Sequence, residues 1–162
     1  MTGAKLSAAK KAAVALSYKA STSNDDVGVV FFANGIRSVA PLGSDLDRVA
    51  EELVGVKPGG ETDLGRGIEQ ALSMHGSSTG DQHIFLLTDA LQTKGEVPER
   101  AVLPVVEQAM RRSVEITLLG LNLDDNGLRL AETIIDRSDG KLYRVENAED
   151  TDRVIIEAYE ST

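Results

Sequence analysis

The sequence predicts an α/β fold with a doubly wound, Rossmann-like sheet that is mostly parallel, has one antiparallel edge strand and carries helices on both faces. Three apolar runs, at residues 27–33, 83–89 and 115–121, have the length and continuity of strands that are buried on both faces. Amphipathic helical patterns separate them, as crossover connections do in parallel sheets. Asn34-Gly35 follows the first run and favours a tight hairpin, so the next strand should return antiparallel. The length of 162 residues is typical of one domain, so residues 1–162 are interpreted as a single domain.

The predicted elements start and end with a helix. Ser44, with Asp47 three residues later, is predicted to cap the second helix, and Asn147 to cap the last one. Because proline does not fit a helix interior, the fourth helix should begin close to Pro104. The predicted helices include residues 3–19, 46–53, 64–72, 104–112, 128–136 and 154–158, and the predicted strands are 27–33, 36–42, 83–89, 115–121 and 141–145.

Composition excludes several classes of function. The net charge is −9, which argues against a nucleic-acid or anionic membrane surface, since phosphate binding needs clustered Lys and Arg. The chain has no cysteine, so it has neither a disulfide framework nor a thiolate metal site. No apolar run reaches membrane-spanning length, and the amino end does not have the pattern of a signal peptide. We therefore expect a cytoplasmic domain.

Two loops, 58–63 and 88–93, should meet at the carboxyl edge of the sheet, where α/β proteins bind ligands. Oxygen donors without Cys or a nearby His suit Mg²⁺, Mn²⁺ or Ca²⁺ rather than zinc. One hydroxyl and one carboxylate are too few for an octahedral site, so water or further ligands must complete it. In the alternative interpretation, Asp89 at the end of strand 83–89 merely caps the next loop. The candidate donors are Glu61, Thr62, Asp63 and Asp89.

An enzyme is the less favoured interpretation. Asp89 could accept a phosphoryl group or act as a metal-assisted base, but no lysine and no second acidic cluster is expected near it. Asp89 should also be unpaired and repelled by Glu61 and Asp63, so that neutralising it should leave the fold unchanged or slightly more stable. No nucleophile elbow or phosphate loop is present, and His75 and His83 are interpreted as structural or surface residues.

Three segments together resemble the von Willebrand factor A domain. They are strand 27–33 with its hairpin, the loop Pro-Gly-Gly-Glu-Thr-Asp-Leu-Gly-Arg-Gly at 58–67, and Ile-Phe-Leu-Leu-Thr-Asp at 84–89. The resemblance extends over the whole chain. It implies a non-catalytic domain that binds a protein partner presenting an acidic residue, through a metal-ion-dependent adhesion site. Thr62 and Asp89 match the threonine and aspartate ligands of that site, and Gly60, Glu61 and Asp63 match the partner-binding rim.

The sequence does not match one part of the family pattern. In relatives the first strand is followed by Asp-x-Ser-Gly-Ser-Met, then Gly-x-Lys-Leu and Ala-Lys. Met1, Gly3, Lys5-Leu6 and Ala9-Lys10 match only the end of this pattern. The first central strand and its three ligands are therefore expected to be missing from this sequence, either because it starts at an internal methionine or because the protein lacks them. The adhesion site should then be incomplete, and a divalent cation (Mg²⁺ or Mn²⁺) should bind weakly or not at all.

The missing strand would lie between strands 27–33 and 83–89. An empty slot would expose about ten backbone groups, each costing about 1–3 kcal/mol if buried without a partner. Because a domain is stable by only about 5–15 kcal/mol, the two flanking strands should close on each other, or another chain should fill the slot. Strand exchange in a homo-oligomer is one way to fill it. A structural subunit that completes its sheet by oligomerisation is thus a further candidate function.

Overall fold

The computed structural model describes residues 3–33, 35–59, 62–76, 80–89 and 98–162, with the backbone alone for 98–101. The order of its helices and strands confirms the predicted α/β class. No helix in these ranges is long and apolar enough to cross a membrane. The elements are α1 (Gly3–Thr22), β1 (Val29–Phe32), β2 (Ile36–Ala40), α2 (Leu46–Val54), α3 (Leu64–His75), β3 (Gln82–Thr88), α4 (Pro98–Arg111), β4 (Val114–Leu121), α5 (Asp125–Ser138), β5 (Lys141–Val145), a 3₁₀ turn (Ala148–Asp150) and α6 (Thr151–Glu160).

The strands form two separate sheets. β1 and β2 pair antiparallel, with Val30 opposite Val39, which confirms the predicted hairpin. β3, β4 and β5 form a parallel sheet in that order, with Ile84 opposite Ile116. Among the described residues β1 and β3 are not paired with each other, and no strand lies between them. The expected closure of the two flanking strands is therefore not observed.

Helices cover both faces of the strands. α3, α4 and α5 pack on one face around a large aliphatic core that includes Ile68, Val106 and Ile116. On the other face, α1 and α6 bury a smaller cluster around Ala12 and Ile155. α2 packs on the hairpin through Val49 and Leu53. The arrangement confirms the predicted doubly wound architecture, in which each face of a parallel sheet is covered by crossover helices.

Burial differs between the strands that have two neighbours and those that have one. Every residue of β4 except Glu115 is buried, as predicted. In contrast, all four residues of β1 are only half-buried, and β3 alternates between buried residues and half-buried ones such as Phe85 and Leu87. The prediction of strands buried on both faces is thus wrong for β1 and only partly right for β3. The reason is that both border the same open space.

Some helix starts and caps differ from the predicted ones. Asn147 caps the 3₁₀ turn instead of α6, because its side-chain oxygen accepts a hydrogen bond from the backbone N–H of Glu149 at 3.2 Å. α4 begins at Pro98, since proline is well suited to the first helical position. Pro104 lies inside the helix. The interior proline lacks an N–H for one helical hydrogen bond, but the complete burial of Val102 and Val106 offsets this loss. α2 is capped by Asp45, whose side chain accepts a hydrogen bond from a backbone N–H at 2.8 Å. The hydroxyl of Ser44 donates to the carbonyl oxygen of the preceding turn instead.

Gly140 permits the tight connection from α5 to β5. A Cβ at this position would overlap the carbonyl oxygen of Ile116, which is backbone of the central strand and cannot move aside. We expect Gly140→Ala to destabilise the domain by about 2–3 kcal/mol, as overpacking does. Gly55→Ala is the matched control, because its added methyl meets no atom within 4 Å and its φ is −84°. Urea denaturation should show a loss for Gly140→Ala only, and equal stability of the two variants would contradict this packing.

Candidate functional site

A cavity of about 950 Å³ lies between β1 and β3. Its two long walls are the facing strands, and α1 and α3 cover it from opposite sides. Thr62 and Asp89 both line it, so the structure brings together the two residues that the sequence predicted as metal ligands. Thr62 is held there because the next residue, Asp63, donates its backbone N–H to the carbonyl oxygen of Ala33 at 2.8 Å, just beyond β1. Asp89 directly follows β3.

Asp63 has a structural role in this arrangement. Its carboxylate accepts a hydrogen bond from the backbone N–H of Arg66 at 3.1 Å and caps the amino end of α3. A cap of this kind contributes about 1 kcal/mol to helix stability. The other two predicted rim residues, Gly60 and Glu61, lie outside the described residues.

Asp89 is paired with a lysine. The ammonium nitrogen of Lys5, in the first turn of α1, lies 3.6 Å from Asp89 Oδ2, and the two side chains are only 20% and 13% exposed. This contact corrects two expectations, that Asp89 is unpaired and that no lysine is near it. The lysine comes from an element distant in sequence. The sequence feature that indicates this pairing is the position of Lys5 in the first turn of α1, a helix that begins at the carboxyl edge of the sheet.

The donor set does not fit a complete magnesium site. Mg²⁺ demands six oxygen ligands in near-octahedral geometry. The predicted pair supplies one hydroxyl and one carboxylate, and the lysine next to that carboxylate repels a cation. The described part of the chain contains no group of three or more His, Asp or Glu residues placed to hold a metal ion.

The opposite mouth of the cavity is acidic. The acidic residues that line it are Asp25, Asp26, Asp81 and Glu115. The Tyr159 hydroxyl donates a hydrogen bond to Asp25, and the Tyr159 ring lies 6.4 Å from the ring of Phe85, so the residues before β1 reach the amino half of β3. Both strands therefore have their amino ends at this mouth. The sequence alone did not reveal the acidic mouth, because its residues come from two loops and from β4.

His83 lines the amino half of the cavity. Its ring stacks on Phe85 with centroids 4.4 Å apart, Nε2 lies 2.7 Å from the hydroxyl oxygen of Thr117, and Nδ1 lies 3.3 Å from a carboxylate oxygen of Glu115. Burial lowers the pKa of His83 below the usual 6.5, and the carboxylate opposes this shift only in part. The neutral imidazole is therefore the favoured form in the folded state.

The amino-terminal part of the sequence matches a known domain family. Residues 1–92, more than half of the chain, match the von Willebrand factor type A domain. The chain belongs to this family. The resemblance inferred from the sequence motifs is thereby confirmed, and no curated protein matches the chain closely enough to add to it.

Solved structures show the same fold at low sequence identity. An aerotolerance-related membrane protein from Bacteroides fragilis superposes with a TM-score of 0.75 at 18% identity, covering 97% of this chain and 89% of that one. BatB from Bacteroides thetaiotaomicron gives 0.71 at 18% identity, with coverage of 96% and 87%. The pilus adhesin SpaC from Lactobacillus rhamnosus GG gives 0.77 at 12% identity, covering 96% of this chain and 28% of the adhesin. These likenesses support the von Willebrand A fold.

The pairing of Lys5 with Asp89 can be measured by a double-mutant cycle. We expect Lys5→Met and Asp89→Asn each to lower stability, and the double variant to lose less than the sum, with a coupling of about 1 kcal/mol that shrinks as salt is added. Urea denaturation of the four proteins at low and high salt measures the coupling. Additive effects would show that the pair does not form in solution.

Stability should depend on pH through His83. Because its folded-state pKa is below 6.5, the unfolded chain binds the proton more readily, and stability falls as pH drops below about 6.5 towards the folded-state value. At pH values well above 6.5, titration of His83 does not change the free energy of unfolding. Urea denaturation at pH 7.5 and 5.5 should show a smaller acid loss in His83→Gln than in the wild type. A loss of equal size in both proteins would contradict the prediction.

Proposed function

We propose that this von Willebrand A domain is a non-catalytic protein-interaction module that binds its partner at the carboxyl edge of the strands. The observation that carries the proposal is the convergence of Thr62 and Asp89 on one cavity mouth in a chain of this family. The partner presents an acidic residue, and Gly60, Glu61 and Asp63 form the rim around the contact. The metal-ion-dependent adhesion site is incomplete, since residues 62 and 89 supply only two of the ligands that a cation needs.

The charge at this edge permits an acidic partner even where a cation binds weakly. Lys5 neutralises Asp89, and an approaching carboxylate therefore meets a hydroxyl and a neutralised pair rather than a bare anion. Such an electrostatic contribution is modest at a partly exposed site and weakens as salt rises.

The lysine does not make a phosphoryl-transfer enzyme the better proposal. A lysine beside an aspartate is one part of such a site, but acidic metal ligands that bring Mg²⁺ to the phosphate are another. The described residues hold no cluster of three acidic or histidine side chains around Asp89. We therefore keep the non-catalytic proposal.

Divalent cations should bind weakly. We expect isothermal titration with Mg²⁺ or Mn²⁺ to show no sub-millimolar affinity, because two protein oxygens do not compensate for dehydration of the ion. Lys5→Met should strengthen the weak binding a few fold by removing the adjacent positive charge, and Asp89→Asn should abolish it. Sub-millimolar affinity of the wild type that is lost in Asp89→Asn would contradict the incomplete site.

The interaction itself is tested by photo-crosslinking from the carboxyl edge. A photoreactive residue replaces Lys57, which is exposed and lines the carboxyl mouth, or, as the control, Met110, which is 54% exposed at the end of α4, close in sequence to Glu115 of the opposite mouth. We expect a crosslinked protein band from the Lys57 position that disappears in Thr62→Val/Asp89→Asn and is competed by a glutamate-rich peptide. Equal bands from both positions, or a band unaffected by the double variant, would contradict binding at this edge.

A further inference from the structure

We propose that Asn126-Gly127, in the first turn of α5, is a site of spontaneous chemical modification at which Asn126 loses ammonia and becomes aspartate or isoaspartate. The hydrogen bond by which Asp124 caps α5 keeps this reaction slow in the folded chain. The isoaspartate form lengthens the backbone next to the carbonyl group of Asp89. This inference concerns the chemistry of the chain itself, so it goes beyond the proposed interaction function and does not depend on it.

Asn126 precedes a glycine, and this is the sequence context in which asparagine is least stable. The backbone nitrogen of the following residue attacks the side-chain carbonyl carbon of asparagine, and a glycine nitrogen is the least hindered because no Cβ lies beside it. Asn126 is exposed to solvent. The chain has a second pair of this kind, Asn34-Gly35, but Asn34 lies outside the described residues.

The reaction needs no reagent other than water. Solvent hydroxide removes the proton of the Gly127 N–H, a bond forms from this nitrogen to Asn126 Cγ, and the bond from Cγ to Nδ2 breaks. The Nδ2 nitrogen takes up a proton from water and leaves as ammonia. Water then opens the cyclic imide. Opening at Cγ gives aspartate, and opening at the main-chain carbonyl carbon gives isoaspartate, in which the backbone runs through Cβ and Cγ.

The folded chain holds the attacking nitrogen in a hydrogen bond. The backbone N–H of Gly127 donates to Asp124 Oδ1 at 2.6 Å, a short hydrogen bond of the charge-assisted kind. The nitrogen must lose this proton before it attacks, and the resulting nitrogen anion would face the carboxylate of Asp124. Because like charges repel, the cap has to open before the reaction proceeds.

The helix also keeps the two reacting atoms apart. Asn126 is the second residue of α5, and a helical ψ of about −42° turns the next backbone nitrogen away from the side-chain carbonyl carbon. The turn is closed by the backbone N–H of Leu128, which donates to the carbonyl oxygen of Asp124 at 2.8 Å. Cyclisation therefore requires local opening of this first turn.

The fold requires the glycine that makes this pair labile. Gly127 is buried, and a Cβ on it would lie 2.9 Å from the carbonyl oxygen of Asp89 and 3.2 Å from Asp124 Oδ1. A larger residue would push the backbone after β3 away from α5. Isoaspartate at position 126 inserts one extra methylene into the main chain directly before this contact. Gly127 would then have to move relative to Asp89.

The cap determines how often the first turn opens. Asp125, Asn126 and Gly127 are all weak helix formers, so their own preferences do not hold the turn. Helix ends with few other interactions open far more often than the whole domain unfolds. The hydrogen bond from Gly127 to Asp124 is thus the contact whose loss should expose Asn126 to attack.

Peptide mapping by mass spectrometry tests the protection. The chain is aged for several weeks at mildly alkaline pH, and the tryptic peptide 113–129 is examined for deamidation. We expect Asp124→Ala to speed the reaction at Asn126 about fivefold, since a helix cap of ordinary strength changes opening by about this factor. Asp124→Ser keeps a capping oxygen and should stay near the wild-type rate. Asn122, in the same peptide but followed by a leucine, should remain intact.

A matched control separates this cap from general loss of stability. Asp45 caps α2 through a hydrogen bond of 2.8 Å, and Asp45→Ala should leave the rate at Asn126 unchanged. Equal acceleration by Asp45→Ala and Asp124→Ala would assign the reaction to global unfolding and overturn the proposal. Equal rates in Asp124→Ala and the wild type would also overturn it, as would a wild-type rate as fast as in guanidinium chloride.

The effect on the backbone is measured on the modified protein. Both samples carry Asn34→Asp, so that the other Asn-Gly pair does not contribute. We expect the aged fraction with isoaspartate at 126 to unfold at a lower urea concentration than the fresh protein. Asn126→Asp adds the same charge without the methylene and should not lower the midpoint, because an acid suits the first turn of a helix. Equal midpoints for the isoaspartate fraction and Asn126→Asp would overturn the proposed change next to Asp89.

Discussion

The rest of the structure depends on one constraint: a strand inside a sheet needs hydrogen-bonding partners on both of its edges. β4 has them and is buried along nearly its whole length. β1 and β3 each have one strand partner among the described residues, and both are left half-open towards the same cavity. Backbone groups without partners are tolerated where water reaches them, which explains why an open cavity is compatible with a folded chain. β1 and β3 are not paired with each other among the described residues. The division into two sheets, the partial burial of Phe85 and Leu87 and the position of the candidate site all follow from this.

The helices keep the two sheets in place. α3 starts at the end of β1, where Asp63 is tied to Ala33, and leads back towards the start of β3, so that it spans the gap on one side. α1 spans it on the other side, with the Lys10 ammonium donating to the carbonyl oxygen of Val56 at 2.6 Å and Lys5 next to Asp89. The large core around α3, α4 and α5 borders the gap through Ile68, Ile84 and Leu86. Its burial supplies the hydrophobic free energy that holds β3, β4 and β5 together.

The sequence by itself determined the fold class, the hairpin, the parallel strands at 83–89 and 115–121 and the place of Thr62 and Asp89 at one edge, because apolar periodicity and loop motifs are local properties. Only the tertiary structure decided that β1 and β3 are not paired with each other among the described residues, that Lys5 pairs with Asp89 and that Asp63 caps a helix. These outcomes depend on how elements far apart in sequence pack against one another. The same holds for Pro104, whose place inside α4 depends on burial that its local preference does not reveal.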